Sequence, residues 1–165
     1  MAGIDLQRKL EKLAYDFNIK VGDTLPNFKA LDEQGNNITS ADYKGKKLVV
    51  FFYPKASTPT CTVEACNLGE NYKALQDAGY EILGVSADSQ KRQSNFKNKF
   101  NFPYPLLADV DKEVINAFGV WGPKKFMGRE YDGIHRTTFV IDENGIIEDV
   151  ILKVKTKAHT EQILK

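Results

Sequence analysis

Cysteine, histidine, methionine and tryptophan are all scarce in this 165-residue chain, at two, two, two and one of each. Two cysteines are too few for the disulfide framework that staples small secreted domains. They also lack the close CxxC pairing and the second ligand cluster that a zinc site requires. No apolar run approaches the roughly 18 residues that a membrane-spanning helix needs. The N-terminus has no basic flank followed by a hydrophobic core, so no secretory signal is read there. An excess of one charge is missing as well, since 23 Lys and Arg against 22 Asp and Glu leave +1. That balance gives no argument for nucleic acid, a membrane surface or a strongly ionic substrate as partner. No Gly-rich phosphate loop occurs, which removes the usual signal for a nucleotide cofactor. What is present, 42% hydrophobic and 27% charged residues, is the composition of one globular domain with a self-sufficient core.

Both cysteines lie in one stretch, Phe51 to Cys66. The apolar run from Lys47 to Tyr53 reads as a buried strand, and it ends at Pro54, which cannot donate to a central ladder. A polar loop follows, then a helix opens with Thr58 as N-cap and Pro59 at the first helical position. Cys61 therefore sits in the first turn. The thiolate is the reactive form, and a free cysteine has a pKa of roughly 8.5. Unpaired backbone N–H groups and the positive end of the helix dipole both favour that anion. The Thr58 hydroxyl, three residues earlier, is expected beside the sulfur as a hydrogen-bond donor. If residues 59–78 form one helix, the Cα atoms of Cys61 and Cys66 lie about 8–9 Å apart. A disulfide needs roughly 7 Å or less, so the pair bonds only after local unwinding. Such a bond suits a catalytic cycle better than a permanent staple. The plainer alternative is that either cysteine is a small buried hydrophobe.

The rest of the chain alternates strands and helices, which gives α/β class. Residues 4–17 read as an amphipathic helix with Leu6, Leu10, Leu13, Ala14 and Phe17 on one face. That stripe packs on its own domain or on a partner or second subunit. Strands are expected over 27–32 and 36–39, joined at Glu33-Gln34-Gly35, with a helical turn over 40–44. After the cysteine helix come a strand over 80–87, a helix over 90–100 capped by Asp88-Ser89, a strand over 106–108 and a helix within 109–118. Lys91, Arg92, Lys97 and Lys99 read as a solvated face. Residues 119–135 read as a long irregular loop with Trp121, Phe126, Met127 and Tyr131. A strand over 136–142, a turn at Glu143-Asn144-Gly145 and a strand over 146–154 form a hairpin. The hairpin makes the sheet mixed, and a last helix starts at His159.

Pro54-x-x-x-Thr58-x-x-Cys61 resembles the active-site motif of the peroxiredoxins. The spacing Cys61-x-x-x-x-Cys66 resembles that of the bacterioferritin comigratory protein, or peroxiredoxin Q, subfamily. So does Phe126-Met127-Gly128-x-x-Tyr131-x-Gly133-Ile134-x-Arg136. The resemblance spans residues 20–165 and leaves 1–19 as an N-terminal extension. It implies a thioredoxin-like fold with a mixed central sheet flanked by helices. It implies a thiol peroxidase that reduces hydrogen peroxide and organic hydroperoxides to water and alcohols. By the same resemblance, Cys61 is the nucleophile and passes through a sulfenic acid. Thr58 and Arg136 hydrogen-bond the sulfur and the peroxide, and Pro54 shields the sulfur. Cys66 resolves the intermediate as an intramolecular disulfide, and thioredoxin or a similar dithiol recycles it. No metal, haem, flavin or nucleotide is called for. The expected state is a monomer or weak dimer in a reducing cytoplasm. His135, beside Arg136, either reaches the pocket or is packed or solvated. Two other functions stay open, a thiol–disulfide oxidoreductase and a redox-sensing module. The first normally carries a cysteine where this chain has Glu64.

Overall fold

The strands follow from where apolar, β-branched and aromatic residues cluster. The computed structural model describes residues 19–164. The amphipathic helix expected over 4–17, and with it most of the 1–19 extension, lies outside the described residues. In chain order the elements are β1 (Lys29–Asp32), β2 (Asn37–Thr39), a 3-10 turn (Ser40–Tyr43), β3 (Lys47–Phe52), α1 (Pro59–Glu70) and α2 (Tyr72–Asp77). Next come β4 (Tyr80–Ser86), α3 (Gln90–Phe100), β5 (Leu106–Ala108) and α4 (Glu113–Ala117). The chain ends with β6 (Trp121–Phe126), β7 (Arg129–Ile134), β8 (Thr137–Ile141), β9 (Ile147–Ile151) and α5 (His159–Leu164).

Seven strands form one sheet in the order β2-β1-β5-β4-β3-β8-β9. The β3–β4 and β4–β5 pairs are parallel and the other neighbours antiparallel, so the sheet is mixed as expected. Central β3 is buried on both faces, and its alternation divides the core in two. Val49 and Phe51 pack with Ala65 and Leu68 of α1, Leu75 of α2, Phe96 of α3 and Ile163 of α5. Leu48, Val50 and Phe52 face the other way, onto Val114 and Ile115 of α4 and onto Phe118. Burying side chains of this size is worth roughly 1.5–3 kcal/mol each. The strand that carries the active-site loop is therefore anchored from both faces. Among the described residues, no helix is long and apolar enough to cross a membrane.

Two expectations need correction. The single helix over 59–78 is two helices, interrupted at Asn71 (φ −106°, ψ 16°). The Asn71 side chain donates to the Asn67 carbonyl at 2.8 Å, the local competition with the helix ladder that asparagine favours. The segment read as an irregular loop over 119–135 contains an antiparallel hairpin, β6 with β7. Its two-residue turn is Met127-Gly128, both at positive φ (51° and 79°), as a type I′ hairpin turn requires. Gly122, Pro123 and paired lysines hid the strand, since none favours β structure.

Candidate active site

β3 delivers the chain to the site. The Tyr53 N–H still donates to the Val85 carbonyl (3.1 Å) before Pro54 turns the backbone out of the sheet. The loop that follows is pinned from β4 and α3. Asp88 Oδ2 accepts from the Ala56 N–H and from the Ser86 hydroxyl, both at 2.7 Å. The buried Tyr53 hydroxyl donates to Gln93 Oε1 (2.6 Å), and Gln93 Nε2 donates to the Leu107 carbonyl (2.8 Å). Held in this way, Ser57 adopts φ +64°, a left-handed conformation that costs a residue with a Cβ about 1–2 kcal/mol. That turn aims the chain into α1, with Pro59 as its first residue.

Cys61 therefore lies in the first turn of α1, only 1% exposed. Arg136, just before β8, reaches it from the neighbouring strand. Thr137 of β8 pairs with Phe52 of β3, so the next residue outward on β8 stands beside the start of the active-site loop. Arg136 Nη2 donates to Cys61 Sγ at 3.0 Å. Its other terminal nitrogen, Nη1, donates to Glu64 Oε1. Glu64 is fully buried, three residues after Cys61 and on the same helix face. Burial pushes the Glu64 carboxyl up to about 7, against the downward pull of the Arg136 charge and hydrogen bond. Burial alone would lower Arg136, but Glu64 and Cys61 outweigh it and hold the guanidinium more firmly charged.

Behind Glu64 stands His159 of α5, completely buried, with Nε2 3.5 Å from Glu64 Oε2. Burial lowers this imidazole, against the Gln162 hydrogen bond. Thr138 Oγ1 lies 2.7 Å from Nε2, and Nδ1 lies 2.9 Å from Gln162 Oε1. Cys66 is half-buried, and burial together with the Glu70 charge pushes its thiol up. Both thiols are free, and α1 runs unbroken across them, so they cannot bond without unwinding. Three anchors resist that unwinding. Tyr104 donates its hydroxyl to the Ala65 carbonyl (2.6 Å), and Asn67 bonds to Lys157 and Thr160.

The structure places Pro54 and Thr58 on the loop before α1, Cys61 and Cys66 on α1, and Arg136 against Cys61. Thr58 differs from expectation in one respect. Its hydroxyl donates back to the Lys55 carbonyl (3.0 Å), capping no helix N–H and making no bond to sulfur. It serves α1 through its backbone carbonyl, which accepts from the N–H and hydroxyl of Thr62, both at 2.8 Å. His135 is turned away, with Nε2 3.1 Å from the Pro123 carbonyl. Glu64 and His159 were missed as site residues. The three-residue spacing from Cys61 could have flagged Glu64, whereas no local pattern points to His159.

The comparisons with known proteins point to one family. The AhpC/TSA family model matches residues 21–150. The peroxiredoxin Bcp of Escherichia coli strain K12 is 44% identical over 146 residues, 88% of this chain and 94% of that protein. The peroxiredoxin Bcp of Bacillus subtilis strain 168 is 40% identical over 147 residues, covering 89% and 94%. Xanthomonas campestris peroxiredoxin Q superposes with a TM-score of 0.78 at 36% identity, over 83% of this chain and 87% of that one. A second Xanthomonas structure, of the bacterioferritin comigratory protein, was described for alkyl peroxide reduction and has the same TM-score at 35% identity, with coverage of 83% and 87%. A thioredoxin-like sheet, a cysteine at a helix start under a guanidinium, and relatives alike over nearly their whole length converge, and this chain belongs to the AhpC/TSA family as a peroxidase of the Bcp, or peroxiredoxin Q, type.

Proposed function

We propose that Cys61 is the nucleophile of a hydroperoxide reductase and that Cys66 resolves its oxidised form. The observation that carries this is the 3.0 Å contact between Arg136 Nη2 and the sulfur of a cysteine in the first turn of a helix. The thiolate attacks one peroxide oxygen. An S–O bond forms as the O–O bond breaks, and the departing alkoxide or hydroxide takes a proton. Arg136 stays charged throughout and meets the charge moving from sulfur to the leaving oxygen, together with first-turn N–H groups. Pro54 shapes the loop over the sulfur. The Thr58 oxygen, with its proton held by Lys55, offers lone pairs to a bound peroxide hydrogen.

The product is a Cys61 sulfenic acid. The Cys66 thiolate attacks that sulfur once α1 unwinds, hydroxide leaves as water, and a disulfide closes. A dithiol protein such as thioredoxin returns two electrons by exchange. The relative described for alkyl peroxide reduction supports organic hydroperoxides beside hydrogen peroxide as substrates. Residues 20–165 form the catalytic unit in this reading, a monomer or weak dimer of the cytoplasm, and 1–19 an N-terminal extension.

Cys61→Ser should abolish peroxide consumption, and substantial residual turnover would refute the assignment. Cys66→Ser should let a Cys61 sulfenic acid accumulate, trappable by a dimedone probe. A thioredoxin-linked cycle that survives this change would mean that another thiol resolves the intermediate.

A further inference from the structure

The buried hydrogen bonds around Glu64 leave one oxygen without a partner, and that oxygen faces a ring nitrogen. Glu64 Oε1 is bonded to Arg136, while Oε2 is buried and has no hydrogen-bond partner. The nearest candidate is His159 Nε2, 3.5 Å away. The state of that nitrogen follows from its neighbours. Gln162 is oriented from both ends, because Oε1 accepts from the Lys155 N–H (2.8 Å) and Nε2 donates to the Lys153 carbonyl (2.9 Å). The atom facing His159 Nδ1 is therefore an acceptor, so Nδ1 carries a hydrogen. A neutral ring then has a bare Nε2, which can take the Thr138 hydroxyl hydrogen (2.7 Å) but has none to offer the bare carboxylate oxygen of Glu64. Burying that arrangement without a hydrogen between the two atoms is costly. One proton, on either atom, removes the conflict.

We propose that Glu64 and His159 hold a single proton between them, and that through it His159 is a positioning residue for Arg136 and Cys61. This rests on Cys61 being the nucleophile. The reason is a count of buried charge. With the proton present, the Glu64–His159 pair is neutral overall, and the charge of Arg136 is balanced by the thiolate alone. Without it, Glu64 is a bare carboxylate that competes for the same guanidinium, and two anions share one cation. The charged and titratable groups facing the pair are Cys61 on its own helix, Arg136 between β7 and β8, and the phenol of Tyr104 before β5. Burial holds that phenol neutral. Thr138 and Gln162, the remaining partners, do not titrate. The raised carboxyl of Glu64 agrees with a proton kept in this place.

The test is the rate of Cys61 oxidation by hydrogen peroxide, followed in the first turnover across pH 5–10. The wild type should show an alkaline limb on which the rate falls as the shared proton leaves. His159→Asn should shift that limb at least tenfold in proton concentration toward acid, because Glu64 must then hold the proton alone. Glu64→Gln, neutral and of the same shape, should remove the limb, and adding His159→Asn to it should move nothing further. A His159→Asn profile that superimposes on the wild type, or effects of the two substitutions that simply add, would overturn the proposal. Nitrogen-15 NMR of the His159 ring in the wild type gives an answer independent of variant folding. Nδ1 should stay protonated while Nε2 changes in step with the rate limb. A change in Nε2 at a pH unrelated to that limb would also overturn it. A wild type that is not oxidised at Cys61 at all would instead sink the functional reading on which this rests.

Discussion

Arg136 uses one guanidinium to face two anions, Nη2 toward Cys61 and Nη1 toward Glu64. A lysine ammonium is a point charge on a flexible stem and cannot span both. Arg136→Lys should therefore lower the second-order rate constant with peroxide by about tenfold or more, which corresponds to roughly 1.4 kcal/mol or more of transition-state stabilisation. A stopped-flow peroxide titration would measure it, and an unchanged rate would show that the planar fork is not needed. A second residue-scale case lies in the core. A Cβ at Gly84 would come within 2.7 Å of Leu106 Cδ2 and 2.9 Å of Phe51 Cζ. Both neighbours are fully buried, so Gly84→Ala should cost about 1–3 kcal/mol by overpacking, read as a lower urea midpoint. At this scale the sequence was legible where a motif fixes placement, as for Cys61 at the start of α1 and Arg136 beside it. It was not legible where a rotamer or a tertiary neighbour decides. The Thr58 hydroxyl turns to Lys55 through one torsion, and His159 meets Glu64 only because α5 docks on α1.

Among the elements, α1 and α5 are joined chiefly by Asn67, the residue after Cys66. Its amide donates to the Lys157 carbonyl (3.0 Å) and accepts from the Thr160 N–H and hydroxyl (both 2.9 Å). Any unwinding that carries Cys66 toward Cys61 pulls on these bonds, and α5 in turn carries His159. Asn67→Ala should weaken the docking by about 1–3 kcal/mol. Amide exchange should accelerate at least tenfold in 66–70 and 157–164 while β3 and β4 stay protected. After oxidation of Cys61, the disulfide should close faster than in the wild type. An exchange pattern confined to α1, with α5 unmoved, would show that the two elements open separately. Element types were readable where an apolar run was clean, as for β3 and β8, or where a cap marked a start, as Ser89 does for α3. They failed where local chemistry overrode it. Asn71 cut one helix into two with its own side chain, and a Met-Gly turn closed a hairpin whose strands are largely polar and contain Gly and Pro.

For the molecule as a whole, the alternation of strands and helices pointed to the α/β class, and the hairpin after residue 136 to a mixed sheet. The strand order came only from tertiary pairing, since no local pattern says that β5 lies between β1 and β4. The same packing that closes the two cores places an ionisable carboxyl inside one of them, and that has a consequence for stability. Glu64 is held at about 7 in the folded protein against an ordinary 4.5. A raised native value means that the folded state binds the proton more tightly than the unfolded chain does. Its stabilising contribution is fully present below about 4.5 and is lost as pH rises through 7. The whole displacement is worth on the order of 3 kcal/mol. His159, held below its ordinary value, works in the opposite sense, and its contribution is lost as pH falls. Comparing wild type with Glu64→Gln isolates the carboxyl and the two groups coupled to it, His159 and Arg136, from the rest of the protein. Urea unfolding of the two proteins between pH 5 and 8 should show the wild type losing ground steadily to the variant as pH rises, by up to about 3 kcal/mol. A difference that stays flat over this range would mean that Glu64 is already ionised in the folded protein at pH 5, with Arg136 outweighing its burial.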